Sequence, residues 1–218
     1  MKTVKKCLAV LLVLSLSAAL FGCELVWDKN HKEPTEPLAE ETTLPSEKPA
    51  GDGATLETAE VTHYVTIEIE NYGTIQAELY GKTAPISVEN FVTLAQSGFY
   101  DGLTFHRIID GFMMQGGAPS ADSPAVRPIK GEFAANGITN NLLHVRGVLS
   151  MARTTVMDSA TSQFFIMHQT SPHLDGDYAA FGMVTEGIEI VDAICAGKKG
   201  ILPEEEQPVI VAVTVTQA

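Results

Sequence analysis

Between positions 65 and 79, apolar and polar residues trade places at every step. Val65, Ile67 and Ile69 alternate with Thr66, Glu68 and Glu70, and after Asn71-Tyr72-Gly73 the same period resumes with Ile75, Ala77 and Leu79. A period of two puts the apolar set on one face of an extended chain, so the stretch reads as two half-buried strands joined in a hairpin. Such a hairpin has to bury its face against more sheet. Further strand signals lie at 104–109, 112–115, 148–152, 164–167, 179–184 and 209–216. Helical spacing occurs twice. Val88, Phe91, Val92 and Ala95 follow Pro85 and end at Gly98, and a second apolar face spans 187–196. Many strands and two helices without regular βαβ alternation predict a mainly β fold, either a closed antiparallel barrel or a sandwich. Residues 116–143 are irregular and rich in Gly, Pro and Asn, and a loop of that length inside a domain has to be functional or cover something.

The chain has 218 residues, room for one domain and additional segments. Lys2, Lys5 and Lys6 precede an apolar run over 7–20 that only Ser15 and Ser17 interrupt. That pattern is a targeting signal. It ends in Leu20-Phe21-Gly22-Cys23, which resembles a bacterial lipobox; the resemblance implies a lipoprotein signal peptide at 1–22 and a lipidated Cys23. An uncleaved anchor helix and ordinary secretion are the alternatives. Cleavage removes three lysines and leaves 11 basic against 27 acidic residues, so the mature chain gains nothing from anionic lipid headgroups. Membrane attachment must then come from acyl chains, at least two of them. Residues 23–60 hold Pro34, Pro37, Pro45 and Pro49 among many Glu and Thr, with Trp27 the only aromatic. This composition cannot bury enough apolar area to offset ordering entropy, and it reads as an extended, disordered acidic linker. Residues 61–218 form the globular domain.

The charge balance excludes some functions. With 14 Lys+Arg against 27 Asp+Glu, the net charge is -13, which repels phosphates and argues against a nucleic-acid partner. Cys7, Cys23 and Cys195 show no CxxC spacing, and His63, His106, His144, His168 and His173 show no HxxxH spacing. Neither a disulfide framework nor a metal site is expected, and no cofactor is called for. Cys195 sits on an apolar helix face and reads as a buried, inert thiol.

Six stretches carry the chemistry: Phe105-His106-Arg107-Ile108-Ile109, Gly111-Phe112-Met113-Met114-Gln115-Gly116-Gly117, Ser150-Met151-Ala152-Arg153, Ser162-Gln163-Phe164-Phe165-Ile166, Leu174-Asp175-Gly176 and Phe181-Gly182. With Thr83-Ala84-Pro85, Ser87-Val88-Glu89-Asn90-Phe91 and Gly98-Phe99-Tyr100-Asp101-Gly102, they closely resemble the cyclophilin family of peptidyl-prolyl isomerases over about 65–215. The resemblance implies a closed eight-stranded antiparallel barrel capped by two α-helices. It makes Arg107 the catalytic residue and places Phe112, Met113, Phe165 and Leu174 around a proline ring. Gln115 and Gln163 would orient the substrate carbonyl and Arg107, and Ala152 would let the peptide backbone pass close. Arg153 stands where many members carry Asn, with Thr154 beside it on the rim. His173 takes the place of a Trp that hydrogen-bonds cyclosporin in many eukaryotic members, so tight cyclosporin binding is not expected. Tyr178 takes the place of a His. His106 belongs to the same substrate-side match, although as a residue it reads, like His144, as a structural hydrogen bonder beside the site.

Elementary chemistry supports these residue types. An X-Pro bond isomerises over tens to hundreds of seconds because amide resonance imposes a barrier of ~20 kcal/mol. No bond breaks and no proton moves, so no nucleophile, metal or general base is required. What is required is preference for the twisted amide over the planar one. In the twisted state the proline nitrogen regains its lone pair, and a rigid, always-charged guanidinium can donate to it. Phe112-Met113 and Phe164-Phe165 each pose a geometric problem, because neighbours on a regular strand face opposite ways. Gly111 allows a bend at the first pair, whereas at the second one ring is expected in the core and the other in the pocket, and the resemblance assigns Phe165 to the pocket. The expected function is isomerisation of X-Pro bonds in exported, partly folded polypeptides by a monomeric, lipid-anchored enzyme. A groove that only holds Pro-containing segments and a solute-binding lipoprotein are the alternative readings.

Overall fold

The computed structural model describes residues 59–218, so the signal segment, Cys23 and all but the last two residues of the linker lie outside the described residues. Strands β1 (His63–Ile69) and β2 (Gly73–Leu79) form the expected hairpin, with Val65 opposite Ala77 and Ile67 opposite Ile75. The apolar set thus shares one face, and Asn71 makes the turn in the left-handed region at φ 63°. Helix α1 (Pro85–Gln96) follows. Next come β3 (Phe105–Ile109), β4 (Met113–Gly116), β5 (Val148–Met151), β6 (Phe164–Met167) and β7 (Ala180–Glu186). Helix α2 (Ile188–Gly197), β8 (Gly200–Ile201) and β9 (Ile210–Gln217) complete the chain.

All pairings are antiparallel, in the order β8-β3-β4-β6-β5-β7-β2-β1-β9. The two ends of this curled sheet meet. Thr104 bridges Val209, the Phe105 N–H donates to the Pro208 carbonyl at 2.9 Å, and the Ile210 N–H donates to the Leu103 carbonyl at 2.7 Å. Eight strands therefore close on themselves as expected. The ninth, β8, is a two-residue piece of the same edge that carries β9, separated from it by a 3-10 turn at Glu204–Glu206. Two residues beside a proline-bounded turn offer no period to read, so the sequence gives no signal for β8.

The sheet has two apolar faces. Inside, Ile67, Ile69, Ile75, Leu79, Phe105, Ile108, Met114, Phe164 and Phe181 are fully buried with Phe91 of α1 and Val191, Ile194 and Cys195 of α2. The Phe91 ring centroid lies 5.1–5.4 Å from those of Tyr100, Phe164 and Phe181. A second cluster collects Tyr80, Met113, Leu142, Val148, Phe165, Met167, Leu174 and Ala180. Its members alternate along β4, β5, β6 and β7 with residues of the first cluster, so it lies on the outer face of the barrel. Burial pushes the Cys195 thiol up to about 12, which fits an inert core thiol.

Helix α1 shows how the long loop is held. Pro85 opens the helix, but Ala84 has no side chain with which to cap it. The buried carboxylate of Glu132, from the irregular stretch, accepts the Ile86 N–H at 2.9 Å, the Ser87 N–H at 2.7 Å and the Ser87 hydroxyl at 2.7 Å. An anion at a helix N-terminus also complements the helix dipole. At the other end Gly98, at φ 71°, allows the Phe99 N–H to reach back to the Leu94 carbonyl at 3.0 Å, which closes the helix. Glu132→Ala would leave three donors without their charged partner, and we expect a loss of about 3 kcal/mol. Urea unfolding of Glu132→Ala should show a lower midpoint at unchanged slope, with Glu132→Gln falling between it and the wild type.

Candidate active site

Strand β3 pairs with β4 with one residue to spare: Phe105 faces Gly116, and Arg107 faces Gln115. The register shift between them is a bulge at His106. Without it Phe105 and Arg107, two apart, would share a face. With it Phe105 and Ile108 are fully buried inside, while Arg107 turns to the outer face. There it borders a hollow of about 180 Å³. A cavity of ~150 Å³ admits benzene, so this one accommodates a five-membered ring.

Phe112 and Met113 both line that hollow. The bend that permits this is at Gly111, in the left-handed region at φ 75°, and the Phe112 N–H closes the turn onto the Ile109 carbonyl at 3.0 Å. Along β4 the faces then alternate: Met113 and Gln115 point to the hollow, Met114 to the core. The β6 pair also divides. Phe164 packs edge-on against Phe91, Tyr100 and Phe105 inside, whereas Phe165 lines the hollow. Leu174, Ala152, Arg153 and Tyr178 complete the lining.

The polar side of the hollow is a relay of amides. The Gln115 amide NH2 donates to the Gln163 side-chain oxygen at 2.8 Å, and the Arg107 Nη1 donates to Gln115 Oε1 at 3.3 Å. Among the described residues no carboxylate pairs with Arg107. A neighbouring hollow of about 250 Å³ shares Gln115, Ala152 and Arg153, and Thr154 and Gln163 line it. His173 stacks on Phe112, with ring centroids 5.5 Å apart and planes at 30°. His106 lines neither hollow, because the bulge turns it aside. Its Nδ1 is buried without a hydrogen-bond partner, and burial, reinforced by the neighbouring Arg107 charge, holds its pKa below the ordinary histidine value.

Beneath the hollow lies a support in which His144 is the structural hydrogen bonder expected beside the site, whereas its partners were not foreseen. Phe165 stacks on the buried ring of His144, with centroids 6.1 Å apart and planes at 20°. His144 Nδ1 lies 3.0 Å from Asp175 Oδ1, and Nε2 lies 2.9 Å from Ser150 Oγ. A carboxylate only accepts, so Nδ1 carries the proton and Nε2 accepts from the serine hydroxyl. Ser, His and Asp stand here in the order of a hydrolase triad. Ser150 is completely buried in β5, however, so no acyl group can reach it, and the trio fixes the floor of the hollow. The Phe112 turn is likewise held from outside. The Gly111 N–H donates to His168 Nδ1 at 3.0 Å, and the His168 N–H donates to the Phe112 carbonyl at 2.9 Å. His168 Nε2 is 3.1 Å from Asp192, which Arg146 grips with two bonds of 2.6 and 2.7 Å. Single polar residues at scattered positions give no periodic signal. Of the trio, Ser150 within Ser150-Met151-Ala152-Arg153 and Asp175 within Leu174-Asp175-Gly176 stand in motifs, but nothing in those motifs joins them to His144.

A closed antiparallel barrel thus carries on its outer wall an apolar slot of a size to admit a small ring, edged by a guanidinium that no carboxylate among the described residues neutralises. The model of the family described as "Cyclophilin type peptidyl-prolyl cis-trans isomerase/CLD" matches residues 64–217. The chain belongs to the cyclophilin-type peptidyl-prolyl cis-trans isomerase family. It is 49% identical over 119 residues to peptidyl-prolyl cis-trans isomerase A of Dickeya dadantii, a match covering 51% of this chain and 60% of that one. It is 45% identical over 119 residues to peptidyl-prolyl cis-trans isomerase B of Bacillus subtilis, covering 53% and 79%. Among solved structures, a Cryptosporidium parvum cyclophilin-type isomerase crystallised in the presence of the dipeptide Ala-Pro superposes with a TM-score of 0.61 at 30% identity. That superposition covers 70% of this chain and 98% of the other.

The buried imidazoles set a pH dependence. Burial holds the pKa of His144 below the ordinary value despite the opposing pull of Asp175, and that of His106 is lowered as well. Both are favoured neutral in the native state, while the unfolded chain takes up protons below ~6.5. Stability is therefore full above that value and falls as pH drops. The unfolding free energy should decrease between pH 7.5 and pH 5 by no more than about 1.4 kcal/mol per pH unit for each histidine. Urea titrations across this range check it, and His144→Gln should flatten the slope.

Proposed function

We propose that the domain is a peptidyl-prolyl cis-trans isomerase that rotates X-Pro bonds in exported, partly folded polypeptides, and that acyl chains on Cys23 anchor it to the bacterial cell membrane, outside the cytoplasm. The observation that carries the catalytic reading is the position of Arg107. It edges a slot lined by Phe112, Met113, Phe165 and Leu174, and no carboxylate among the described residues cancels its charge. The proline ring enters the slot and fixes one side of the X-Pro bond. Arg107 donates to the ring nitrogen as the amide twists, an interaction that the planar amide, with its lone pair delocalised, cannot accept. The Gln163–Gln115 relay holds the guanidinium in place, so little reorganisation accompanies the rotation. Support for the setting comes from the sequence: the lipobox-like end of the apolar run and a linker long enough to let the domain reach unfolded chains near a membrane, where slow X-Pro bonds limit folding.

Arg107→Ala should lose about 2.7–4 kcal/mol of barrier reduction, roughly a 10²–10³-fold drop in kcat/KM on a short X-Pro peptide, while peptide affinity changes far less. Exchange spectroscopy on the peptide measures both; equal rates for the two proteins would reject Arg107 as the donor. Acceleration by neither would leave a groove that only holds Pro-containing segments. For the tether, membrane fractionation should find the wild type in the pellet and Cys23→Ala released. Retention of both would mean that an uncleaved helix is the anchor.

A further inference from the structure

We infer that Arg153 makes this slot select polypeptide segments bearing a carboxylate side chain within about three residues of the proline. The inference rests on the isomerase reading above and names its substrate class. Arg153 borders both hollows, and its guanidinium is fixed. Its carbon lies 4.5 Å from the Tyr178 ring centroid and 5.0 Å from that of Phe133. Nε and Nη2 donate to the Asp177 carbonyl at 3.0 and 2.8 Å, and Nη1 donates to the Thr154 carbonyl at 2.9 Å. Both acceptors of these three bonds are neutral carbonyls, so the positive charge is held but not cancelled. A guanidinium carries five N–H donors, which leaves two to offer.

The surroundings reserve that charge for a visitor. Neither hollow is lined by a carboxylate; the neighbouring one adds only Thr154, Ser159, Thr161 and Gln163 to the shared residues. Of the acids in the adjoining loops, the Asp177 carboxylate is exposed and forms no ion pair with Arg153, and two others are engaged elsewhere. Asp158 accepts from the Gly131 N–H and the Asn136 amide, and Asp175 is committed to His144. Among the described residues Arg153 forms no ion pair. The chain as a whole is strongly acidic and repels an acidic peptide at long range. That field is screened beyond ~8 Å at physiological salt, whereas a carboxylate touching Arg153 is well inside this length. Preference for acid is therefore confined to the positions that reach Arg153. Because stacking and carbonyl bonds have already ordered the side chain, binding a carboxylate costs little further rotamer entropy.

The test uses the full chain in detergent and short peptides in which Glu, Gln or Lys is scanned over three positions on each side of one proline. At the position or positions reaching Arg153, kcat/KM for Glu should exceed that for Gln by about three- to fivefold, with Lys below Gln. The ratio should fall towards one as NaCl rises from about 20 to about 500 mM, and it should vanish in Arg153→Gln but not in Arg153→Lys. Because the readout is a ratio within each protein, a general loss of activity in a variant does not imitate it, and the salt series on the wild type stands without any variant. Gln peptides accelerated equally with Glu peptides at every position would overturn the role of Arg153 and leave the isomerase intact, as would a Glu preference that persists in Arg153→Gln. Acceleration of no peptide at all would overturn the isomerase reading, and the inference with it.

Discussion

One extra residue in β3 decides which way Arg107 faces. In a regular strand Arg107 would follow Phe105 into the barrel, where a guanidinium would be stripped of water with no carboxylate to meet it. The bulge at His106 lets Phe105 and Ile108 fill the interior while Arg107 emerges on the outer wall. The same strand thus serves core and site. Its other edge is not free either, since β8 pairs with Arg107 and Ile108 from the opposite side. A residue meant to aim at a transition state is therefore mounted on backbone that is hydrogen-bonded along both edges.

Around this strand, each wall of the slot is fixed by something outside it. Phe165 rests on His144, which Ser150 and Asp175 hold in one tautomer, and the Phe112 turn hangs on His168. Gln115 stands between Gln163 and Arg107 and passes orientation from one to the other. This suits a reaction with no chemistry of its own to perform. Rotation about an amide needs a shape and a charge that fit the twisted state better than the planar one, and such fits degrade with small displacements. Buried polar groups that look like catalytic machinery, the Ser150–His144–Asp175 trio above all, act here as scaffolding.

Much of the fold could be read because period-two alternation is a strong signal when one face is buried. The β1–β2 hairpin, α1 with its Pro85 start and Gly98 stop, and the opposite facing of Phe164 and Phe165 follow from local pattern, while the family resemblance says which of the two lines the slot. The slot residues were found through an ordered set of motifs, because an apolar residue lining a pocket has the same local pattern as one lining the core. What escaped has a common cause. The bulge at His106, the β8 fragment, the capping of α1 by Glu132 from 46 residues away and the trio beneath Phe165 are set by contacts distant in sequence. His106 shows the limit well: it belongs to the same motif as Arg107, yet a one-residue register shift turns it away from the slot.

Charge distribution adds a last constraint. A chain with 27 acidic and 14 basic side chains is repelled by phosphate-rich surfaces and anionic headgroups, so the membrane attachment proposed above would draw on a lipid rather than on the domain's own charge. Within that acidic field, the two arginines at the slot offer a passing polypeptide positive charge that no carboxylate among the described residues pairs with, beside apolar surface. They are held differently. Arg107 is steadied by one amide oxygen and keeps most of its donors, as a group must that engages a transient nitrogen lone pair. Arg153 is pinned by two rings and three carbonyl bonds and offers only its outer edge, as suits a group that meets a substrate side chain while the rotation proceeds beside it. On the proposed reading, division of labour between a lightly tethered and a firmly seated guanidinium would separate how fast the bond turns from which chains present it.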